Sequence, residues 1–252
     1  TLISHVDQFE HKLAAAIMSA MGSPAGPAHI SVPRDVMAMD NLISQTHYQV
    51  DSLLDRPALI DDHAATGYSN VSWDIELGEN ASLTFLQMQQ AGQQVAMCEA
   101  RLAADASFTK ITLLSGGDIA RHATHISLQR AGAQAQLHSA VLGSGDSHSD
   151  VTYVIDHQSC DTQSHTSSHQ ALGDRARGVF QGKVIVQRDA QRVDAQMQAR
   201  AMMLSEGAEM DAKPELEIYA DDVICAHGTA IGEIDADALF FLRSRGLDEV
   251  TA

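Results

Sequence analysis

Aromatic side chains are scarce in this sequence: one Trp, four Tyr and six Phe amount to 4% of 252 residues. Broad cores draw much of their buried area from such rings. Their scarcity favours a core of small and aliphatic side chains in thin, regularly stacked layers. Basic residues are also few, 16 Lys and Arg against 33 Asp and Glu, for a formal charge of −17. A field of that sign repels phosphate backbones and anionic lipid, which excludes nucleic-acid and membrane-surface roles. Cysteine occurs three times, at Cys98, Cys160 and Cys225. An odd number so widely spaced gives neither a disulfide framework nor a Cys-x-x-Cys zinc pair. No apolar run is long enough to span a bilayer, and no signal-peptide pattern opens the chain. A reducing cytoplasm is the simplest compartment for these features. The chain opens on Thr1 rather than a methionine, as a processed chain or a fragment would.

What is present is 44% hydrophobic residues, chiefly Ala, Leu, Ile, Val and Met. That suffices for a sizeable core in one long all-β domain or two small ones. From Ser205 to Ala252 there are 12 acidic residues against Lys213, Arg243 and Arg245, a bias that serves solubility or a basic partner.

Three segments follow from periodicity. Between His5 and Met21, Phe9, Leu13, Ala16, Ile17 and Ala20 recur at helical spacing, with Gly22 as a stop. Prolines 24, 27 and 33 then make a loop, so residues 1–33 read as a helical appendage. From 34 to 234 the period is two. Short runs such as Ala81/Leu83/Phe85, Ala133/Ala135/Leu137, Val151/Tyr153/Ile155, Val193/Ala195/Met197 and Ala208/Met210/Ala212 predict strands of four to seven residues. Between Gly67 and Gly232 no amphipathic helix is predicted. Several runs open with a polar or Gly residue followed by Ala, as at Asn80-Ala81, Asp105-Ala106, Gly132-Ala133, Asp189-Ala190 and Gly207-Ala208. Ala81, Ala106 and Ala133 are 25 and 27 residues apart, and Ala190 follows two steps later. A period in the twenties predicts a β-solenoid, with a β-sandwich as the alternative. One coil cannot bury its apolar face alone, so the ends need covers, which the segments around Leu13 and Leu239 could supply. Residues 235–252 read as the start of a C-terminal helical segment, with Asp235 as N-cap, Leu239, Phe240 and Leu242 on one face, Gly246 as the stop, and Asp248 capping a further helix.

Thirteen histidines invite a metal reading. On a strand, Cys225 and His227 share a face about 7 Å apart, setting a thiol beside an imidazole, a pairing suited to iron, zinc or an iron–sulfur species. The alternative is that Cys225 packs as a small hydrophobe and His227 bonds at a turn before Gly228. Strand alternation also puts His157, Asp161, His165 and His169 on one face, which a solvated ladder explains equally well. Gly143-Ser144-Gly145-Asp146 is no phosphate loop, Ser115-Gly116-Gly117-Asp118 lacks the repetition of a calcium solenoid, and no nucleophile elbow or H-E-x-x-H appears.

Longer matches lie in the last third. Ala176-Arg177-Gly178-Val179-Phe180-Gln181-Gly182-Lys183, Lys213-Pro214-Glu215-Leu216-Glu217-Ile218-Tyr219-Ala220-Asp221-Asp222-Val223, His227-Gly228 and Phe241-Leu242-Arg243-Ser244-Arg245-Gly246 resemble the SufB/SufD family of SUF iron–sulfur cluster assembly proteins. Cys225-Ala226-His227-Gly228 looks more like SufD than SufB. SufB-type members carry a cysteine around Gln198-Ala199-Arg200, and none stands there in this chain. The resemblance implies a right-handed parallel β-helix with short helical segments at both termini. It implies a non-catalytic scaffold that pairs with a SufB-like paralogue, binds a SufC-like ATPase through C-terminal helices, and forms a homodimer when isolated. It implicates His227, with Cys225 beside it, as a metal ligand for transient iron or a nascent cluster at the SufB interface, with no cofactor tightly bound in the isolated chain. Two other classes remain in view: a β-helical carbohydrate-active enzyme, which needs clustered carboxylates and aromatic platforms, and a His-rich metal-storage or sensor protein.

Overall fold

A computed structural model describes residues 31–32, 44–50, 58–63, 67–233, 240–241 and 243–246. Fifteen strands fill nearly all of it. One sheet has eight strands: β1 (Ser31–Val32), β3 (Ala58–His63), β5 (Ser82–Gln89), β7 (Ser107–Leu114), β9 (Gln134–Gly143), β11 (Gln163–Leu172), β13 (Val193–Met203) and β15 (Val223–Glu233). The other has seven: β2 (Ser44–Val50), β4 (Tyr68–Leu77), β6 (Gln93–Leu102), β8 (Ile119–Leu128), β10 (His148–His157), β12 (Arg177–Val186) and β14 (Glu209–Ile218). Every pairing is parallel and every neighbour is the strand two places along the chain. The chain therefore winds as a two-sheet β-solenoid of about six turns, as its periodicity predicted.

The repeated polar-then-Ala phrase is a corner. Asn80, Asp105 and Gly132 adopt left-handed φ values of 60°, 55° and 74°. The Ala after each is fully buried, and its N–H bonds back three residues, to Gly78, Ala103 and Arg130. A left-handed residue suits Gly, Asn or Asp, and a small side chain follows it into the buried corner, Ala at these three and Thr162 after left-handed Asp161. Asp189-Ala190 is a corner of the same sheet-to-sheet crossing, whereas Gly207-Ala208 lies on the opposite side of the coil, before β14. Successive coils also differ in length. Tyr68 lies beside Gln93 and Arg177 beside Glu209, so the step grows from 25 to 32 residues, and the repeat looks degenerate in the sequence.

Most strands run eight to eleven residues, longer than the four to seven expected, because outward polar positions continue each strand past its apolar run. Inward positions form one contiguous core, with Trp73 against Phe85 at 5.2 Å between ring centroids and Tyr153 edge-on to Phe180 at 6.1 Å. The predicted helix over 5–21 lies outside the described residues. At the other end Phe240, Phe241, Arg243 and Ser244 are helical, and Gly246 turns left-handed at φ 93° as the expected stop.

Two glycines test this account. A Cβ on Gly132 would lie 2.0 Å from Asp105 Oδ1 on a left-handed backbone, whereas one on Gly228 would meet nothing within 4 Å. Gly132→Val is expected to lower the urea unfolding free energy by about 1–3 kcal/mol, and Gly228→Ala to stay within about 0.5 kcal/mol of the parent.

Candidate functional site at the C-terminal rim

Most of the segments carrying the family resemblance fall in the last two coils, on β12, β14 and β15. Residues 176–183 open β12, where an inward side chain at either glycine has no room. A Cβ on Gly182 would come within 2.3 Å of Met197 Sδ, and one on Gly178 within 2.2 Å of Gln170 Oε1. Residues 213–223 span β14 and its turn into β15. Pro214 has no N–H to donate, and it stands in a strand that ends its sheet, where proline is tolerated. Ion pairs tie β14 to β12 on the outer face, Lys183 to Glu217 at 2.6 Å and Arg177 to Glu209.

Both sheets stop at this end. Among the described residues nothing pairs with the outer edge of β14 or β15. Their backbone groups face outward beside exposed Tyr219 (59%), Ile224 (67%) and Ile231 (49%). The turn between the strands adds exposed Asp221 and Asp222, held by a 2.9 Å bond from the Asp222 N–H to Gln191 Oε1.

Cys225 and His227 lie on the inward-facing side of β15, as strand alternation predicts. Register sets Cys225 beside the buried Ala195 and His227 beside the buried Met197. Among the described residues β15 is the last strand of its sheet, and no further coil encloses them. Cys225 is half-buried against the core and His227 is exposed. Burial pushes the Cys225 thiol up, outweighing a backbone hydrogen bond from Ala195, so binding a soft metal there must displace the proton. Among the described residues no three His, Cys, Asp or Glu side chains converge to hold a metal ion.

The second histidine cluster is divided by the fold. His157 ends β10 and is buried, Asp161 is a left-handed corner residue, and His165 and His169 are exposed on the outside of β11. The expected single face does not exist, because the chain changes sheets at 158–162. Asp161 instead takes a bidentate bond from Arg192 of the next coil, 2.6 Å at each oxygen, which holds its carboxyl below the usual range. His138 joins the outer pair, 6.0 Å from His165 between ring centroids, and burial followed by the two neighbouring imidazoles lowers its pKa.

The interior holds groups that sequence reasoning passed over. Lys110 is fully buried, donates to Thr124 Oγ1 at 2.7 Å and stands 5.4 Å from the Phe85 ring centroid. Register places it in the same inward column as Leu137, Thr166, Met197 and finally His227. Asp61, also buried, accepts from Gln87 Nε2 at 3.0 Å. The missed signal was alternation itself: Lys110 falls in phase with Ala106, Phe108 and Leu114. The aromatic platform of a carbohydrate enzyme is not assembled in the described solenoid. Five rings are buried in it, and the exposed Tyr68 and Tyr219 stand at opposite ends.

Comparison with known proteins agrees with the motifs. A family model described as "SUF system FeS cluster assembly, SufBD core domain" matches residues 44–252. The iron–sulfur cluster assembly protein SufD of Escherichia coli is 30% identical over 191 residues, 75% of this chain and 45% of that protein. SufD of Bacillus subtilis is 27% identical over 266 residues, 96% of this chain and 60% of that protein. A SufBD family protein of Synechocystis is 32% identical over 73% of this chain and 42% of its own length. The chain thus spans about half the length of the curated relatives it matches.

The buried His157 gives a pH signature. Thr162 Oγ1 donates to the Ser159 carbonyl, so His157 Nδ1–H donates to Thr162 at 2.7 Å and Nε2 accepts from Ser164 at 2.9 Å, fixing a neutral tautomer by its network. Burial pushes its pKa down to about 4. The unfolded chain takes up this proton near pH 6.5 and the folded chain only near 4. The stability contribution is therefore complete above pH 6.5 and is lost as pH falls toward 4, on the order of 2–3 kcal/mol. Urea titrations should show this acid limb flattened in His157→Gln.

Proposed function

We propose, from the premise that this chain belongs to the SufB/SufD family of SUF iron–sulfur cluster assembly proteins and is most like SufD, that it is a scaffold subunit without turnover of its own, working by edge pairing. The observation that carries this reading is the coincidence, at one end, of two parallel strands whose outer edges are unpaired among the described residues and of a thiol and an imidazole, Cys225 and His227, that no further described coil covers. An unpaired strand is a template for another chain. The occupant that completes the fold best is a related solenoid, a SufB-like paralogue, whose own terminal strands continue both sheets. In the isolated chain a second copy takes that position as a homodimer. A SufC-like ATPase supplies the nucleotide-driven step, since the described residues carry no phosphate-binding loop.

His227 and Cys225 then face the seam between two subunits. The partner contributes the remaining ligands, and transient iron or a nascent cluster is held there as cargo. The strongly negative chain, with Asp221 and Asp222 at the rim, favours approach of a cation over an anion. No helix among the described residues is long and apolar enough to cross a membrane, and reducing cytoplasm is the compartment that keeps these thiols available.

Two measurements test the reading. Ile224→Lys sets a charge on an exposed edge position. It is expected to weaken association with a SufB-like partner at least tenfold in co-purification or titration, while the melting temperature of the isolated chain stays unchanged. Anaerobic reconstitution of the complex with His227→Ala should retain assembly and lower cluster yield about tenfold or more. Full cluster formation in an intact complex would remove His227 from the site.

A further inference from the structure

The outer wall of the eight-stranded sheet brings two imidazoles together, away from the C-terminal rim. His138 points outward from β9 and His165 outward from β11, since the inward phase of these strands belongs to Leu137, Ser139, Ser164 and Thr166. Register sets His165 beside Gln136 and His138 beside Ser167, so the two histidines are diagonal neighbours across one strand gap. That diagonal is about 8 Å at Cα by strand spacing and rise. Their ring centroids are 6.0 Å apart. Two imidazoles sharing one metal ion stand no more than roughly 6 Å apart, about 2 Å for each metal–nitrogen bond and about 1 Å from each nitrogen to its ring centre. The observed separation is at the open end of that range, and a small rotation of the exposed His165 closes it.

The surroundings favour a cation over an anion. His138 is half-buried, with Ile111 beside it on the neighbouring strand. Burial, followed by the imidazoles of His165 and His169, lowers its pKa, which leaves the ring neutral with a lone pair to give. Around His165 lies a polar depression of about 140 Å³ lined by Gln136, Gln163, Asp194 and Gln196, with no Lys or Arg among its lining residues. The formal charge of −17 adds a long-range pull on cations. His169 is placed differently. It stands beside Arg200, and its Nε2 is engaged by Ser167 Oγ at 3.0 Å. The chelating unit is therefore the pair, in keeping with the lack of three converging donors among the described residues.

We propose that His138 and His165 chelate a divalent cation of borderline softness, the Zn²⁺ and Ni²⁺ class that imidazole suits, with Gln136 Oε1 and water completing the coordination. Gln136 lies beside His165 and two residues before His138 on the same face. Two imidazoles on a rigid sheet give an open holding site rather than a closed structural one. It lies on the outside of the wall, three strands from β15, and stands independently of Cys225 and His227.

Calorimetric titration of the full, tag-free chain with Zn²⁺ near neutral pH tests this, in a Cys160→Ser, Cys225→Ser, His227→Ala background that removes the accessible thiols and the rim imidazole. One Zn²⁺ per chain is expected to bind in the micromolar range. His138→Gln and His165→Gln should each weaken binding about tenfold or more, the least that losing a ligand costs. His169→Gln, and His125→Gln on the outside of the other sheet, should stay within about twofold, because screened surface charge is all they change. Both ligands face outward, so unchanged melting temperatures of the metal-free variants certify their fold. Saturating Zn²⁺ should raise the melting temperature of the background chain and leave that of His165→Gln unmoved. No uptake of Zn²⁺, an affinity indifferent to His138→Gln or His165→Gln, or an equal loss with His169→Gln would each overturn the proposal. Uptake at one ion per two chains, with dimers in sedimentation, would assign the ion to a contact between copies and overturn it as well.

Discussion

Parallel stacking of coils is the constraint on which everything else depends. Each inward side chain sits on the one two strands earlier, so the backbone ladder fixes a column of neighbours for every position. A change in corner length is absorbed outside the sheets, which is why the step can grow from 25 to 32 residues without breaking register. A one-residue slip inside a strand would instead turn every inward side chain to solvent. The left-handed residues Asn80, Asp105 and Gly132 and the buried alanines after them hold that register at three of the crossings.

The same ladder explains how polar groups survive in the interior. Lys110, Asp61 and Cys98 are held at inward positions by alternation, not by hydrophobicity. Burial lowers the pKa of Lys110 and raises those of Asp61 and Cys98. Each group is driven toward its neutral form, which avoids most of the cost of a buried charge. Hydroxyls and amides from facing coils then take up the hydrogen bonds, as Thr124 does for Lys110 and Gln87 for Asp61. His157 follows the same rule.

A ladder must also stop, and among the described residues this one stops at β14 and β15. Inward residues of β13 are buried because β15 covers their edge, while those of β15 itself are half-buried or exposed. The difference between Met197 and His227, adjacent in one column, is one more strand of cover. Chemistry that needs solvent or a partner is thereby confined to the terminal strands. The Gly178, Gly182 and Pro214 positions that carry the family motif are those where the last coils pack most tightly or where a missing N–H costs nothing.

By itself the sequence determined the class of fold, because period-two alternation and the Asn80-Ala81, Asp105-Ala106 and Gly132-Ala133 corners are local properties of the backbone. It also placed Cys225 and His227 on one side of a strand, for the same local reason. Tertiary structure alone decided the rest. It separated His157 from His165 and His169 by moving the chain between sheets, sealed Lys110 in the core, and made β14 and β15 the edges. Those outcomes depend on which residues stack 25 to 32 positions apart, and a varying step hides such contacts from any reading along a single strand.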